Sequence, residues 1–158
     1  MRFVVLDPAG NWILAPGTTF AGAGDLHVQQ ALLATTALLL RNPEDFDQPE
    51  VLQALFARNA LAQAIQLKST EAAEFQERRL QQKPQVARIN AIETREERAH
   101  IEVIGELLRT GLYKQTVFTE VIPFKLRLMF RPNPDLLRKR RQPTLVTEFE
   151  LSYEDPHS

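Results

Sequence analysis

The chain predicts an α+β fold: an antiparallel sheet from an N-terminal hairpin and a long C-terminal hairpin, with three or four helices packed on one face. Three observations lead there. Apolar residues alternate through positions 118–130, at Phe118, Ile122, Phe124, Leu126, Leu128 and Phe130, with Glu120 the exception among the even positions. Alternation resumes on the odd positions Leu145, Thr147, Phe149, Leu151 and Tyr153, and a period of two marks strands with one buried and one wetter face. Between the termini, apolar residues recur at helical spacing instead.

Taken in order, residues 3–6 and 11–14 are apolar runs around Asp7-Pro8-Ala9-Gly10, where proline early and glycine late suit a turn. They read as a short hairpin carrying Trp12 as a core or groove residue. Residues 16–24 form a glycine-rich connection. A helix over 26–40 follows, capped by Asp25 and stopped by Asn42-Pro43. Its leucines, Leu32, Leu33, Leu38, Leu39 and Leu40, leave few polar positions, so burial on most sides is expected.

Asp47 and Glu50 have capping-box spacing, with Pro49 in the first turn of the next helix. Its apolar stripe is Leu52, Leu55, Phe56, Ala62 and Ile65. Ser69 and Thr70 mark a break or restart before a more polar stretch over 71–82. Residues 86–92 fit a short strand or a helix equally well. Thr94 and Glu97 repeat the capping-box spacing and predict a helix over 95–110, with Ile101, Val103, Ile104, Leu107 and Leu108 as its stripe and Gly111 as its stop.

For the C-terminal hairpin the charges suggest a register. Phe130 opposite Leu145 places Arg127 against Glu148 and Lys125 against Glu150, since directly opposed residues share a face. Pro123 cannot donate to a ladder, so its strand is expected at an edge or bent there. The connecting loop, residues 131–144, is too long for a tight turn. It holds the densest charge cluster of the chain, Arg138, Lys139, Arg140 and Arg141, together with Arg131 and the apolar pair Leu136 and Leu137. These seven residues are the expected contact site for a protein partner or for nucleic acid; a solvated loop that keeps an edge hairpin soluble is the plainer alternative.

With 158 residues the chain reads as a single domain over 1–158, large enough to support a core without staples. It has no cysteine, which removes disulfides and thiol nucleophiles. A net charge of −1 confines any nucleic-acid contact to local patches. Fourteen arginines against five lysines hint at a GC-rich bacterial or phage genome. The apolar run at 31–40 is about half the length of a membrane helix, and no signal-peptide core is visible. These features lead to the expectation of a cytoplasmic protein, or a virion component if phage-derived, with no membrane contact.

Chemistry is sparse. Glu97 and His100 have the Glu-x-x-His spacing of di-iron bundles, but no second such pair exists. Gly22-Ala23-Gly24 before a helix lacks the rest of a dinucleotide or Walker fingerprint, and Asp25 would repel an anion there. The three serines, Ser69, Ser152 and Ser158, sit in no nucleophile elbow. No cofactor, metal or catalytic residue is assigned, and the reading leans away from an enzyme. The expected role is a non-enzymatic structural or adaptor subunit of a bacterial or phage assembly, as a homo-oligomer or within a larger complex. It would contact neighbours through the β-arm and the polar helix. The alternatives are a nucleic-acid binder using the arm tip, or an enzyme or ligand-binding domain with an unrecognised pocket.

Overall fold

The computed structural model describes residues 3–6, 12–15, 20, 22–133 and 142–154. The elements run β1 (Phe3–Leu6), β2 (Trp12–Ala15), α1 (Gly24–Leu39), α2 (Pro49–Leu55), α3 (Arg58–Glu77), β3 (Gln81–Thr94), β4 (Ala99–Tyr113), β5 (Thr116–Pro132) and β6 (Thr144–Tyr153). The last four make an antiparallel meander in the order β3-β4-β5-β6, and the three helices pack on one of its faces. The α+β class holds. The N-terminal hairpin forms with Leu6 opposite Trp12, as a two-stranded sheet of its own; the large sheet comes from the second half of the chain.

The core lies between helices and sheet. Leu38, Leu39, Leu52 and Leu55 meet Ile101, Val103 and Leu107 of β4 and Phe124, Leu126, Leu128 and Phe130 of β5. Those four β5 residues belong to the even set of the alternating pattern and are buried, while Phe118 and Ile122 of the same set are half-buried.

The helix expected over 95–110 is the main correction: these residues are strand β4. Burial alternates along it, with Ala99, Ile101, Val103, Gly105, Leu107 and Arg109 facing the helices. The stripe through Ile101, Val103, Ile104, Leu107 and Leu108 fits one helical face, but Ile101, Val103 and Leu107 also fit a period of two, and the β-branched residues favour the strand. Glu97 caps nothing; Arg95 N–H donates to the Arg98 carbonyl across a tight turn, 2.8 Å. Gly105 belongs to the strand for a packing reason. The register with β3 shifts between Val86 and Arg88, and a Cβ on Gly105 would fall onto the Gln85 carbonyl, as at a bulge. The ambiguous run 86–92 is therefore strand, within β3.

The helices differ from expectation in their ends. Ala23, not Asp25, is the N-cap of α1; Asp25 lies in the first turn, where it complements the helix dipole. The next helix splits into α2 and α3 because β6 takes the backbone between them: Ala57 N–H donates to Val146 O at 2.8 Å. That break resets the phase, so Ala60 and Ala64 face inward while Ile65 is exposed. Gln48 stands at the N-cap of α2, and Asp47 instead accepts from Asn42 Nδ2, 2.9 Å. No break occurs at Ser69 and Thr70. Thr70 Oγ1 bonds back to Gln66 O at 3.0 Å, and α3 continues to Glu77. Gln81 and Gln82, assigned to the polar helix, open β3.

The C-terminal hairpin forms with its register shifted by two. Leu126 faces Leu151, Arg127 faces Glu150 and Leu128 faces Phe149. A shift of two keeps every side chain on its face, so the alternation alone could not detect it. Arg127 pairs with Glu102 of β4 at 3.3 Å. A bulge after Met129 then turns Val146 and Thr144 inward in place of Thr147 and Leu145. Pro123 is on a central strand, opposite Glu106. Its carbonyl accepts from Glu154 N–H at 2.9 Å, so its nitrogen points to where β6 stops, and no ladder bond to β4 is lost.

Candidate assembly surface

The stem of the arm is tied by hydrogen bonds. Asn133 N–H donates to Pro143 O (3.0 Å) and its side-chain amide to Gln142 O (2.8 Å). Gln142 reaches Gln30 of α1 at 3.5 Å, and Thr144 Oγ1 donates to Gln30 Oε1 at 2.9 Å. Gln30, Asn133 and Thr144 are all buried, so the two ends of the hairpin at Asn133 and Gln142 are held against α1 and each other. Of the seven expected contact residues, Arg131 is placed: it is exposed and lies opposite Leu145. Leu136, Leu137, Arg138, Lys139, Arg140 and Arg141 lie outside the described residues.

Arg131 does not stand alone. The β3–β4 turn comes to the same end of the sheet, because Ala99 pairs with Phe130. Arg95, Glu96, Glu97, Arg98 and Arg131 line an open recess of about 390 Å³ there, and Arg95 is ion-paired to Glu93. A second recess on the outer face is bounded by Lys125, Arg127, Glu150 and Ser152. Both mix the two signs. That pattern suits a polar protein surface of alternating charge better than a phosphate backbone, which calls for a run of one sign.

Near the opposite end lies a buried charge cluster that the sequence did not announce. Arg41 reaches Glu71 at 2.5 Å and Arg109 reaches the other oxygen of Glu71 at 3.5 Å. Arg109 also donates through Nε to Gln82 Oε1 (2.7 Å) and stands 3.9 Å from Glu120. Both guanidinium groups lie over the Phe75 ring, at 3.9 and 5.4 Å from its centroid, a cation–π arrangement. Tyr153 donates to Glu71 Oε2 at 3.1 Å. Desolvation and the neighbouring carboxylate push its phenol up, so it stays protonated as a donor.

This cluster ties α3 to all four long strands through Gln82, Arg109, Glu120 and Tyr153. Its carboxylate is neutralised by two cations, which fits a clamp and leaves no free base. Its paired members lie 11 to 82 positions apart in sequence, so no spacing rule could find them. The remaining candidates are equally structural. His27 is buried, donates Nε2–H to Phe20 O at 2.6 Å and stacks edge-on against Phe20; desolvation lowers its pKa. Glu97 and His100 are separated by the start of a strand, where a three-residue spacing does not align side chains. Among the described residues no three His, Asp or Glu side chains could hold a metal, and no helix is long and apolar enough to cross a membrane.

No family model and no curated protein matches the chain by sequence. Solved structures do match by fold. An IcmL-like type IV secretion system protein from Legionella pneumophila subsp. pneumophila str. Philadelphia 1 superposes with a TM-score of 0.59 at 14% identity, covering 82% of this chain and 94% of that one. The periplasmic domain of DotI gives 0.59 at 12% identity, covering 87% and 99%. A periplasmic fragment of TraM gives 0.55 at 9%, covering 83% and 98%. The cytoplasmic or virion location expected from the sequence is overturned by these likenesses, since two of the three are periplasmic pieces. The chain has the fold of these three structures across nearly their whole length.

Proposed function

We propose that the chain is a non-enzymatic structural subunit of a bacterial multi-protein assembly, working at the periplasmic side of the cell envelope. The observation that carries this reading is the match over 94–99% of three solved domains, one from a type IV secretion system and two periplasmic. The clamp around Glu71 supports it, because this buried charge cluster holds α3 rigidly to the sheet. A chain without cysteine also suits an oxidising compartment, having no thiol to mispair.

Contact with neighbours runs through the arm: Arg131 with the mixed-charge recess beside it, and Leu136, Leu137, Arg138, Lys139, Arg140 and Arg141 in the loop. Leucines would anchor and the charges would set register, the usual division between affinity and specificity. The test removes residues 134–141, joins the stem with a short glycine linker, and compares assembly size by light scattering in detergent-solubilised envelopes. Loss of the large species with an unchanged circular dichroism spectrum supports the arm; an unchanged assembly removes it. Protease added to spheroplasts should reach the chain, and full protection would sink the envelope location.

A further inference from the structure

Strand β5 is longer than its neighbour. It pairs with β4 from Thr116 onward, but β6 stops at Tyr153 opposite Phe124, with one last bond from Glu154 to Pro123. Because the Pro123 carbonyl points to the β6 side, so do the backbone groups of Val121, Thr119 and Val117, which alternate in step with it. Among the described residues nothing pairs with those three N–H and three C=O groups. An open edge of this kind is a template for another strand.

Side chains on the same segment are unusually bare. Val117 is 68% and Val121 44% exposed, beside Leu112 at 43%. Val117 lies opposite Leu112 and Val121 opposite Leu108, so two apolar pairs flank the Thr119–Thr110 pair on the sheet face away from the helices. Thr116-Val117-Phe118-Thr119-Glu120-Val121-Ile122 is rich in β-branched residues, as a pairing strand should be.

We infer that this edge pairs with the same edge of a second copy of the chain, antiparallel, about a two-fold axis at Thr119. The bounds of the edge select that register. At one end is the β4–β5 turn, where Lys114 and Gln115 have φ of 48° and 67°; at the other is Pro123, which has no N–H. The midpoint of residues 116–122 is Thr119. Pairing Thr119 with the second copy's Thr119 sets Val117 against the second copy's Val121 and joins all the outward donors and acceptors in six hydrogen bonds. Such a contact is isologous and closes on itself. Each apolar pair of one copy then runs on into an apolar pair of the other, Leu112 and Val117 into the second copy's Val121 and Leu108.

The inner face agrees in charge. Phe118 comes to lie opposite the second copy's Glu120, since directly opposed residues share a face. Arg78 already stands over the Phe118 ring, 6.0 Å from its centroid, so each Arg78 meets the Glu120 of the other copy. An unrelated extended peptide would gain the backbone bonds but neither this pairing nor the matched valines.

The inference deepens the assembly reading by naming one neighbour, and rests on that reading for its biological use. Its test separates the two. Amide exchange at Val117, Thr119 and Val121 in the full chain should slow as concentration rises from micromolar to millimolar, in step with dimer formation by sedimentation. Thr119→Pro removes an outward N–H and no bond to β4, so it should leave melting unchanged and weaken the dimer by roughly tenfold or more. Should that variant melt early, Val121→Lys reads the same contact without altering the backbone. Thr119→Cys, in a chain with no other cysteine, should join to itself through a short bis-maleimide, while Gln53→Cys on α2 should not. A chain that stays monomeric, amides protected at every concentration, or a dimer indifferent to both variants overturns the edge pairing, and each leaves the assembly reading standing.

Discussion

Glu71 is the residue on which most of the polar partners depend. Its side chain is 14% exposed and faces guanidinium groups that are 2% and 6% exposed. Glu71→Ala leaves two buried cations without their main counter-charge, and removing one partner of a buried pair costs roughly 3–5 kcal/mol. Urea denaturation should show that loss as a lower midpoint with an unchanged slope. Tyr153→Phe removes one bond to the same carboxylate and should cost only about 1 kcal/mol. His27 makes a second prediction at this scale. Desolvation holds its folded pKa below the free value, although the bond to Phe20 O opposes the shift. The unfolded chain therefore binds the proton more readily, and stability is full above about pH 6.5 and declines below it. His27→Gln, which keeps a donor for Phe20 O, should flatten stability between pH 7.5 and 5.5. An equal slope in both proteins would place the acid sensitivity elsewhere.

Among the elements, β4 shows why part of the fold was legible and part was not. The run from Phe124 to Phe130 was readable because only one period fits it. Residues 95–110 were not, because all five apolar positions fit one helical face while only Ile101, Val103 and Leu107 share a face at a period of two, and a false capping box at Thr94 and Glu97 tipped the balance toward helix. Gly105 separates the two structures by experiment. In an exposed helix a glycine-to-alanine change stabilises by about 1 kcal/mol. In this strand the new methyl meets the Gln85 backbone, and forced overpacking costs roughly 1–3 kcal/mol. Gly105→Ala should therefore lower the melting temperature in calorimetry. The break between α2 and α3 had no signal of its own either: its cause is Val146, some ninety positions downstream. The register of β5 and β6 failed for a third reason, since the bulge after Met129 leaves no mark on a pattern of alternating residues. Of the expected arm site only Arg131 lies among the described residues, and the β3–β4 turn that the sheet sets beside it left no signal in the sequence.

For the whole molecule, the charges are divided by place. Buried ones lock α3 to the sheet, while mixed exposed ones gather where the arm leaves it. Binding through the arm should weaken only modestly with salt, because a mixed-sign surface releases few counterions. Raising salt from about 50 to 200 mM should cost well under the thousandfold that a protein making six or more phosphate contacts loses; a loss on that scale would turn attention to nucleic acid. The order of the elements has a further consequence, in time. All three helices precede all four long strands in the chain. During synthesis α1, α2 and α3 emerge with Leu26, Leu38, Leu52 and Phe75 facing no sheet, and residues 78–153 follow only after roughly 4–15 s at about 5–20 residues per second. Once the strands arrive the meander closes through neighbouring hairpins, which keeps that step local and fast. The nascent helical half is then the form most exposed to aggregation, and a fragment ending at Arg79 should bind a hydrophobic dye and a holdase chaperone that the finished chain ignores.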